Sequence, residues 1–281
     1  MRNLLFFIGA ISFLSACNLS DKPKENQVEA PKMADTSTQI ETQATMPTGL
    51  SFKKFTLKSE NCDLPFRDDM EIDEDWCNTR EIDGLKVSMK DTEVAQKINV
   101  LIEKVITGPM WSAPGTGKEK SLKEFMADIK NTSNETGDID YMQDSYTCRL
   151  ADSSNTFLSM HIFSEYYGLG AAHGQHGISV INVDLKTGNQ IKLKDVLVDN
   201  YKSALKALGK RKFLEQNGND EGWFLEDGQP FELPEVFSIT RKGITFTYQV
   251  YEIGPYAAGA PEVFLSIKDL GSLLKVNPYL K

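Results

Sequence analysis

Residues 18–50 contain no aromatic side chain and are rich in Lys, Glu, Gln, Thr and Pro, so they cannot bury enough apolar surface to fold. The folded region is therefore expected to begin near Ser51. There the apolar pattern changes character several times. Phe52, Phe55 and Leu57 predict a first strand. Residues 60–83 read as an acidic loop, with ten Asp or Glu against Arg67 and Arg80. Leu85, Val87 and Met89 alternate and predict a strand over Gly84–Lys90. Val94, Ile98, Leu101, Ile102, Val105 and Ile106 recur at helical spacing over Thr92–Thr107, with Asp91 as N-cap and Gly108-Pro109 as the stop. A second helix is expected over Lys120–Lys130. Strands follow at about 140–150, 156–165 and 177–185. A helix is expected from Asp199 to Glu215, with Tyr201, Ala204, Leu205 and Leu208 inward. Strands at 236–240, 243–251 and 262–265 and a short helix from Ile267 to Leu274 complete the chain. Clustered strands and helices without regular βαβ alternation predict an α+β fold, an antiparallel sheet with packed helices.

The N-terminus carries a different signal. Arg2 is followed by the apolar run Leu4–Leu14, which is too short to span a bilayer and of the right length for a signal-peptide core. It ends in Leu14-Ser15-Ala16-Cys17, which resembles the bacterial lipobox. That resemblance implies a signal peptide over 1–16, an acylated Cys17 as membrane anchor, and a tether over 17–50. Several acyl chains on one residue hold a protein stably at a bilayer, where one alone is marginal. A flexible tether of that length reaches roughly 30 Å. Asn18, in place of the Asp that favours inner-membrane retention, leans towards the outer membrane in a Gram-negative host.

The chain carries 31 basic and 40 acidic residues, a net charge of −9, which disfavours nucleic acid and anionic lipid and favours basic partners. After Cys17, export leaves Cys62, Cys77 and Cys148 in an oxidising compartment. Three pairings are open, each leaving one cysteine over. Proximity favours Cys62–Cys77, a loop closure worth about 3 kcal/mol in the chain-entropy model, with Cys148 a buried strand thiol.

Four segments occur in order: Tyr166-Tyr167-Gly168-Leu169-Gly170-Ala171-Ala172-His173-Gly174, then Asn182-Val183-Asp184-Leu185-Lys186-Thr187-Gly188, then Ile191-Lys192-Leu193-Lys194-Asp195-Val196-Leu197, then Tyr251-Glu252-Ile253-Gly254-Pro255-Tyr256-Ala257-Ala258-Gly259. Over roughly residues 80–276 they resemble a domain-of-unknown-function family. That family forms the extracytoplasmic part of lysozyme-sensing anti-sigma factors and the non-catalytic part of some peptidoglycan deacetylases. The resemblance implies two apposed subdomains, an N-terminal α/β part over 51–165 and a C-terminal α+β domain over 166–276. Ala171 stands where the family has the second glycine of a Gly-Gly pair, and Val183 where it has Phe. The chain shows no transmembrane helix, sigma-binding tail or deacetylase domain, so the resemblance implies a binding role.

Chemistry-bearing motifs are few. His173-x-x-His176 suggests zinc, with His161 or Glu165 as a third ligand, but zinc needs three or four ligands at fixed geometry and this pair lies in a glycine-rich loop. The plainer role of His173 is to cap the loop through its backbone. Gly168-x-Gly170 lacks the third glycine of a dinucleotide fingerprint, and no nucleophile elbow or P-loop is present. Cys148 in an apolar strand is a poor nucleophile. The acidic run Asp68–Asp75 lacks the glycine and distal glutamate of an EF-hand loop. The richest cluster is Tyr166, Tyr167, Tyr251 and Tyr256 with His173, stiff apolar faces with polar tips that suit protein or sugar recognition. Their plainer role is to pack a sheet edge.

The reading is a lipid-anchored, non-enzymatic envelope domain without a cofactor or metal. It binds through Tyr166, Tyr167, His173, Tyr251 and Tyr256, and its partner, by resemblance, is a muramidase or peptidoglycan. The alternatives are a metal-dependent cell-wall hydrolase at His173 and His176, or a purely structural envelope lipoprotein.

Overall fold

A computed structural model describes residues 49–64, 76–108, 120–130, 141–218, 222–225 and 230–280. Cys17, the tether up to residue 48 and the acidic run at 68–75 lie outside the described residues. The elements are β1 (Ser51–Asn61), β2 (Asn78–Ser88), α1 (Thr92–Thr107), α2 (Leu122–Ala127), β3 (Met142–Ser153), β4 (Phe157–Gly168), β5 (Gln175–Asp184), α3 (Leu193–Val196), α4 (Tyr201–Asn217), β6 (Phe237–Thr240), β7 (Gly243–Thr247), β8 (Glu262–Ser266) and α5 (Ile267–Leu270). Short 3-10 turns follow α2 and α5, and another covers Tyr256–Ala258.

Strands β1–β5 form one sheet in chain order, and β6–β8 form a second. The expected antiparallel arrangement holds for every pair except β2 and β3, which run parallel. The exception follows from α1 and α2, which carry the chain back to the starting end of the sheet before β3 begins. Asp91 caps α1 by accepting from the amides of Glu93 and Val94 at 3.1 and 3.0 Å. Val94, Ile98, Ile102 and Ile106, one turn apart, pack with Ile82, Val87, Leu158, Met160 and Ile162 in a first core.

β2 starts six residues before the expected strand. Arg80, inside the stretch read as loop, is buried and forms an ion pair with buried Asp144 of β3, Nη2–Oδ2 2.6 Å. Its Nη1 donates to the Phe125 carbonyl at 2.6 Å, and its guanidinium lies 3.8 Å from the Phe125 ring centre. A charge pattern that looks solvated in sequence is thus an internal partner of the neighbouring strand. Burial pushes the Asp144 carboxyl above its usual range, against the lowering effect of Arg80.

The second core gathers Phe157, Ile191, Leu205, Leu208, Phe213 and the inward faces of β6–β8. α4 packs on β8. Ala204, expected inward, is exposed, while Gly209 and Phe213 face the core. Gly209 allows close approach, since a Cβ there would meet Leu233 at 2.8 Å. The expected division at 165/166 falls inside β4, whose ladder is continuous with β3 and β5 on both sides of it. The first hydrophobic cluster runs to Leu185, and the second, apart from Phe157 of β4, begins at Ile191. Asn182 joins the sheets: it accepts from Ser159 Oγ at 2.8 Å and Ile239 N at 2.9 Å, and donates to the Phe237 carbonyl at 2.8 Å.

Candidate functional site

Alternation sorts the side chains of the five-stranded sheet between two faces. Ile82, Tyr146, Cys148, Met160 and Ile162 face the first core. The other face carries Phe163, Ile178 and Val180 in mid-sheet and polar residues towards the β4–β5 loop, where the register aligns them in rows. Lys58, Glu81, Ser145, Glu165 and His176 are successive Cα partners from β1 to β5. Glu60, Thr79, Gln143 and Tyr167 form the next row. The members of these rows on β2 to β5 line a groove of about 290 Å³ that also touches Asp144, Tyr166 and Gly174.

One end of the groove adjoins a disulfide, since Gln143 Nε2 donates to the Cys77 carbonyl at 3.5 Å. Cys62 and Cys77 are bonded, as proximity suggested, and Cys148 is a free, buried thiol whose burial pushes it up to about 11. The disulfide fixes the approach to Trp76. Its indole N–H donates to Asn78 Oδ1 at 3.3 Å, and its ring lies 6.2 Å from that of Tyr167.

At the other end the β4–β5 loop meets the segment after β7. Gly170, at φ 79°, makes the turn that a side chain would strain. The Gly174 carbonyl accepts from His173 Nδ1 at 2.8 Å and from Tyr256 Oη at 3.0 Å. Because a carbonyl only accepts, His173 carries its proton on Nδ1, and its Nε2 accepts from Tyr251 Oη at 3.3 Å. Tyr256 spends its one proton on Gly174, so its oxygen accepts from His176 Nε2 at 2.8 Å. The His173 and Tyr256 rings stack with centres 4.0 Å apart and planes 25° from parallel. Burial, with Tyr251 and Glu165 nearby, holds the Tyr256 phenol above its usual range and its proton in place.

His173 therefore caps its own loop, and His173 and His176 are each held by a tyrosine hydroxyl. His161 lies elsewhere on β4, packed edge-on against Phe163. Glu165 Oε1 stands 3.8 Å from His176 Nδ1. Among the described residues no group of three His, Cys, Asp or Glu is placed to share a metal ion.

Tyr251 was expected inside a strand. β7 ends at Thr247, and the chain leaves the sheet to lie against β5, where the Gln249 amide bonds both backbone groups of Ile178, at 3.0 and 2.7 Å. Beyond it Tyr251 adopts φ 66°, an uncommon conformation for a residue with a side chain, and is 54 % exposed. The structure thus brings Tyr166, Tyr167, His173, Tyr251 and Tyr256 to one region. Sequence patterning missed Trp76, Glu81, Gln143 and Ser145, whose common face depends on strand register, and Gln249, whose role depends on a strand edge distant in sequence.

Residues 194–268 match the model of a family described as a protein of unknown function, DUF3298. The match runs from α3 into α5, so it includes Tyr251 and Tyr256 and leaves out the five-stranded sheet. A member of the same family from Bacteroides fragilis has a similar structure, with a TM-score of 0.64 at 20 % identity, covering 84 % of this chain and 97 % of that one. A DUF3298 family protein from Pseudomonas aeruginosa PAO1 aligns with a TM-score of 0.62 at 18 % identity, over 83 % and 97 % of the two chains. These likenesses establish the mixed α+β fold. No curated protein matches the chain.

Proposed function

We propose that this chain, which carries a DUF3298 domain, is a non-enzymatic binding domain of the cell envelope, anchored through Cys17. Its partner, on the resemblance drawn from the sequence, is a muramidase or peptidoglycan. The observation that carries the reading is Tyr251: a large side chain held exposed at φ 66° and bonded to His173, whose neighbour Gly174 lines a groove that includes Glu81, Asp144 and Glu165. Uncommon backbone conformations persist where the surroundings over-determine them, and they cluster at binding sites. An exposed tyrosine on a rigid network is also a low-entropy anchor for a partner. Glu81 and Glu165 on the groove floor add attraction for a basic protein.

Titration calorimetry of the full chain against c-type lysozyme at low and at physiological salt, together with pull-down on purified peptidoglycan sacculi, tests this. Saturable binding to either partner that persists at physiological salt and weakens in Tyr251→Ala supports the reading. Attraction to lysozyme lost at modest salt is charge alone, since exposed charges are screened beyond about 8 Å at physiological ionic strength. That result, with no retention on sacculi, removes the binding role.

A further inference from the structure

We propose that the polar end of this face of the five-stranded sheet, towards the β4–β5 loop, is a glycan-binding groove, taking an oligosaccharide without net negative charge. The inference rests on the binding-domain reading and names the ligand class for the groove.

Three observations carry it. The first is what the groove offers. Its floor is built from short acceptors and donors in register, Glu81, Ser145 and Glu165 in one row and Thr79 and Gln143 in the next. From β2 to β5 the row spans about 14 Å at about 4.8 Å per strand. Carboxylate, amide and hydroxyl groups at that spacing suit the closely set hydroxyls of a sugar chain. Backbone groups are not on offer, because β2, β3 and β4 each have a strand on both sides at these positions. An extended peptide, which binds a sheet through main-chain bonds at an edge, would find none here.

The second is an aromatic ring beside the groove, Trp76, 6.2 Å from the ring of Tyr167, which lines it. Trp76 is held by its neighbour's disulfide, by its bond to Asn78 and by its contact with Tyr167. Tyr167 shares the groove face with Glu165 by strand alternation. A pinned aromatic ring beside polar acceptors gives the C–H face of a sugar ring an apolar surface at little entropic cost.

The third is charge. Glu60, Glu81, Asp83 and Glu165 lie on this face, with Lys58 the basic residue in the same rows. Such a field repels phosphate and uronate and admits neutral or amino sugars.

The test is calorimetry of the full chain with the β-1,4-linked hexamer of N-acetylglucosamine, the matching glucosamine hexamer, and a hexamer containing glucuronate. The expected result is saturable binding of at least one of the first two. The glucuronate hexamer should bind at least tenfold more weakly than the better of them. Trp76→Ala and Glu81→Gln should each weaken binding at least fivefold. Glu81 is exposed, so Glu81→Gln keeps the test valid if the tryptophan variant fails to fold. Absence of binding by both uncharged and amino hexamers overturns the proposal, as does equal binding of the glucuronate hexamer or indifference to Glu81→Gln. Lysozyme binding without oligosaccharide binding would overturn this inference and leave the binding-domain reading standing.

Discussion

Gln249 closes the outer edge of β5 by pairing its side-chain amide with both the N–H and the carbonyl of Ile178, at 3.0 and 2.7 Å. The amide does what a neighbouring strand would do. The same device recurs at Asn99 on Val87 of β2, at 2.8 Å for both bonds, and at Gln216 on Phe264 of β8, also at 2.8 Å. Unpaired edges are templates for aggregation, and at these three positions a side chain from a neighbouring segment takes the place of a strand. At β5 the device has a second effect, because Gln249 stands two residues from Tyr251 and ties the segment that carries it to the sheet.

Gln249→Leu should therefore cost about 1–3 kcal/mol, the penalty for leaving buried backbone groups unsatisfied. It should also weaken ligand binding by loosening Tyr251. Denaturant midpoints and calorimetry read the two effects. A variant with unchanged stability and affinity would show that the amide pairing holds nothing in place.

Arg80 and Asp144 should behave asymmetrically. Removing one partner, as in Arg80→Met, leaves a carboxylate enclosed without its cation and should cost about 3–5 kcal/mol. Replacing both, as in Arg80→Met with Asp144→Leu, should recover most of that loss, because the pair's own desolvation penalty disappears with it. Urea denaturation of both variants measures the difference; equal destabilisation by single and double substitution would contradict the argument.

Tyr251→Gly should stabilise the fold by up to about 1 kcal/mol, because glycine adopts φ 66° without the steric cost that tyrosine bears there. The same substitution should abolish the contribution of the exposed ring to binding. A thermal melt and a binding isotherm on one preparation are enough. Loss of both stability and affinity would mean that the ring serves packing.

His161 predicts a pH dependence. Burial pushes its ring down to about 4 from an ordinary 6.5, and its Nε2 is enclosed without a partner. The folded state therefore binds fewer protons than the unfolded state between those values. Its contribution is fully present above pH 6.5 and is lost as pH falls towards 4, by at most about 3 kcal/mol at about 1.4 kcal/mol per unit. His161→Phe should flatten stability against pH in that window, measured by urea titration at a series of pH values. A parallel slope in variant and parent would assign the dependence to other groups.

Periodicity is a local property, and what it encodes was legible from the chain alone. The limits of α1 are those that Asp91, the four isoleucine and valine turns and Gly108 announce. The course of β4 and β5, the positions of β6 and β8 and the Cys62–Cys77 pair also follow from alternation and proximity, whereas the separation of β6–β8 into a second sheet does not. The four ordered motifs pointed to Tyr166, Tyr167, His173, Tyr251 and Tyr256 as one group. Other features are relations between segments distant in sequence. Asn78–Asp83 reads as a charged loop until Asp144, 64 residues after Arg80, supplies the buried partner that makes it a strand. Glu81, Ser145, Glu165 and His176 share a row only because the registers of β2 to β5 align them. Tyr251 leaves its expected strand because Gln249 finds the edge of β5 and a hydrogen-bonded tyrosine–histidine network receives the chain beyond it. Hydrophobic spacing is written residue by residue, whereas the satisfaction of buried charge and of strand edges is decided only when the partners meet in the folded chain.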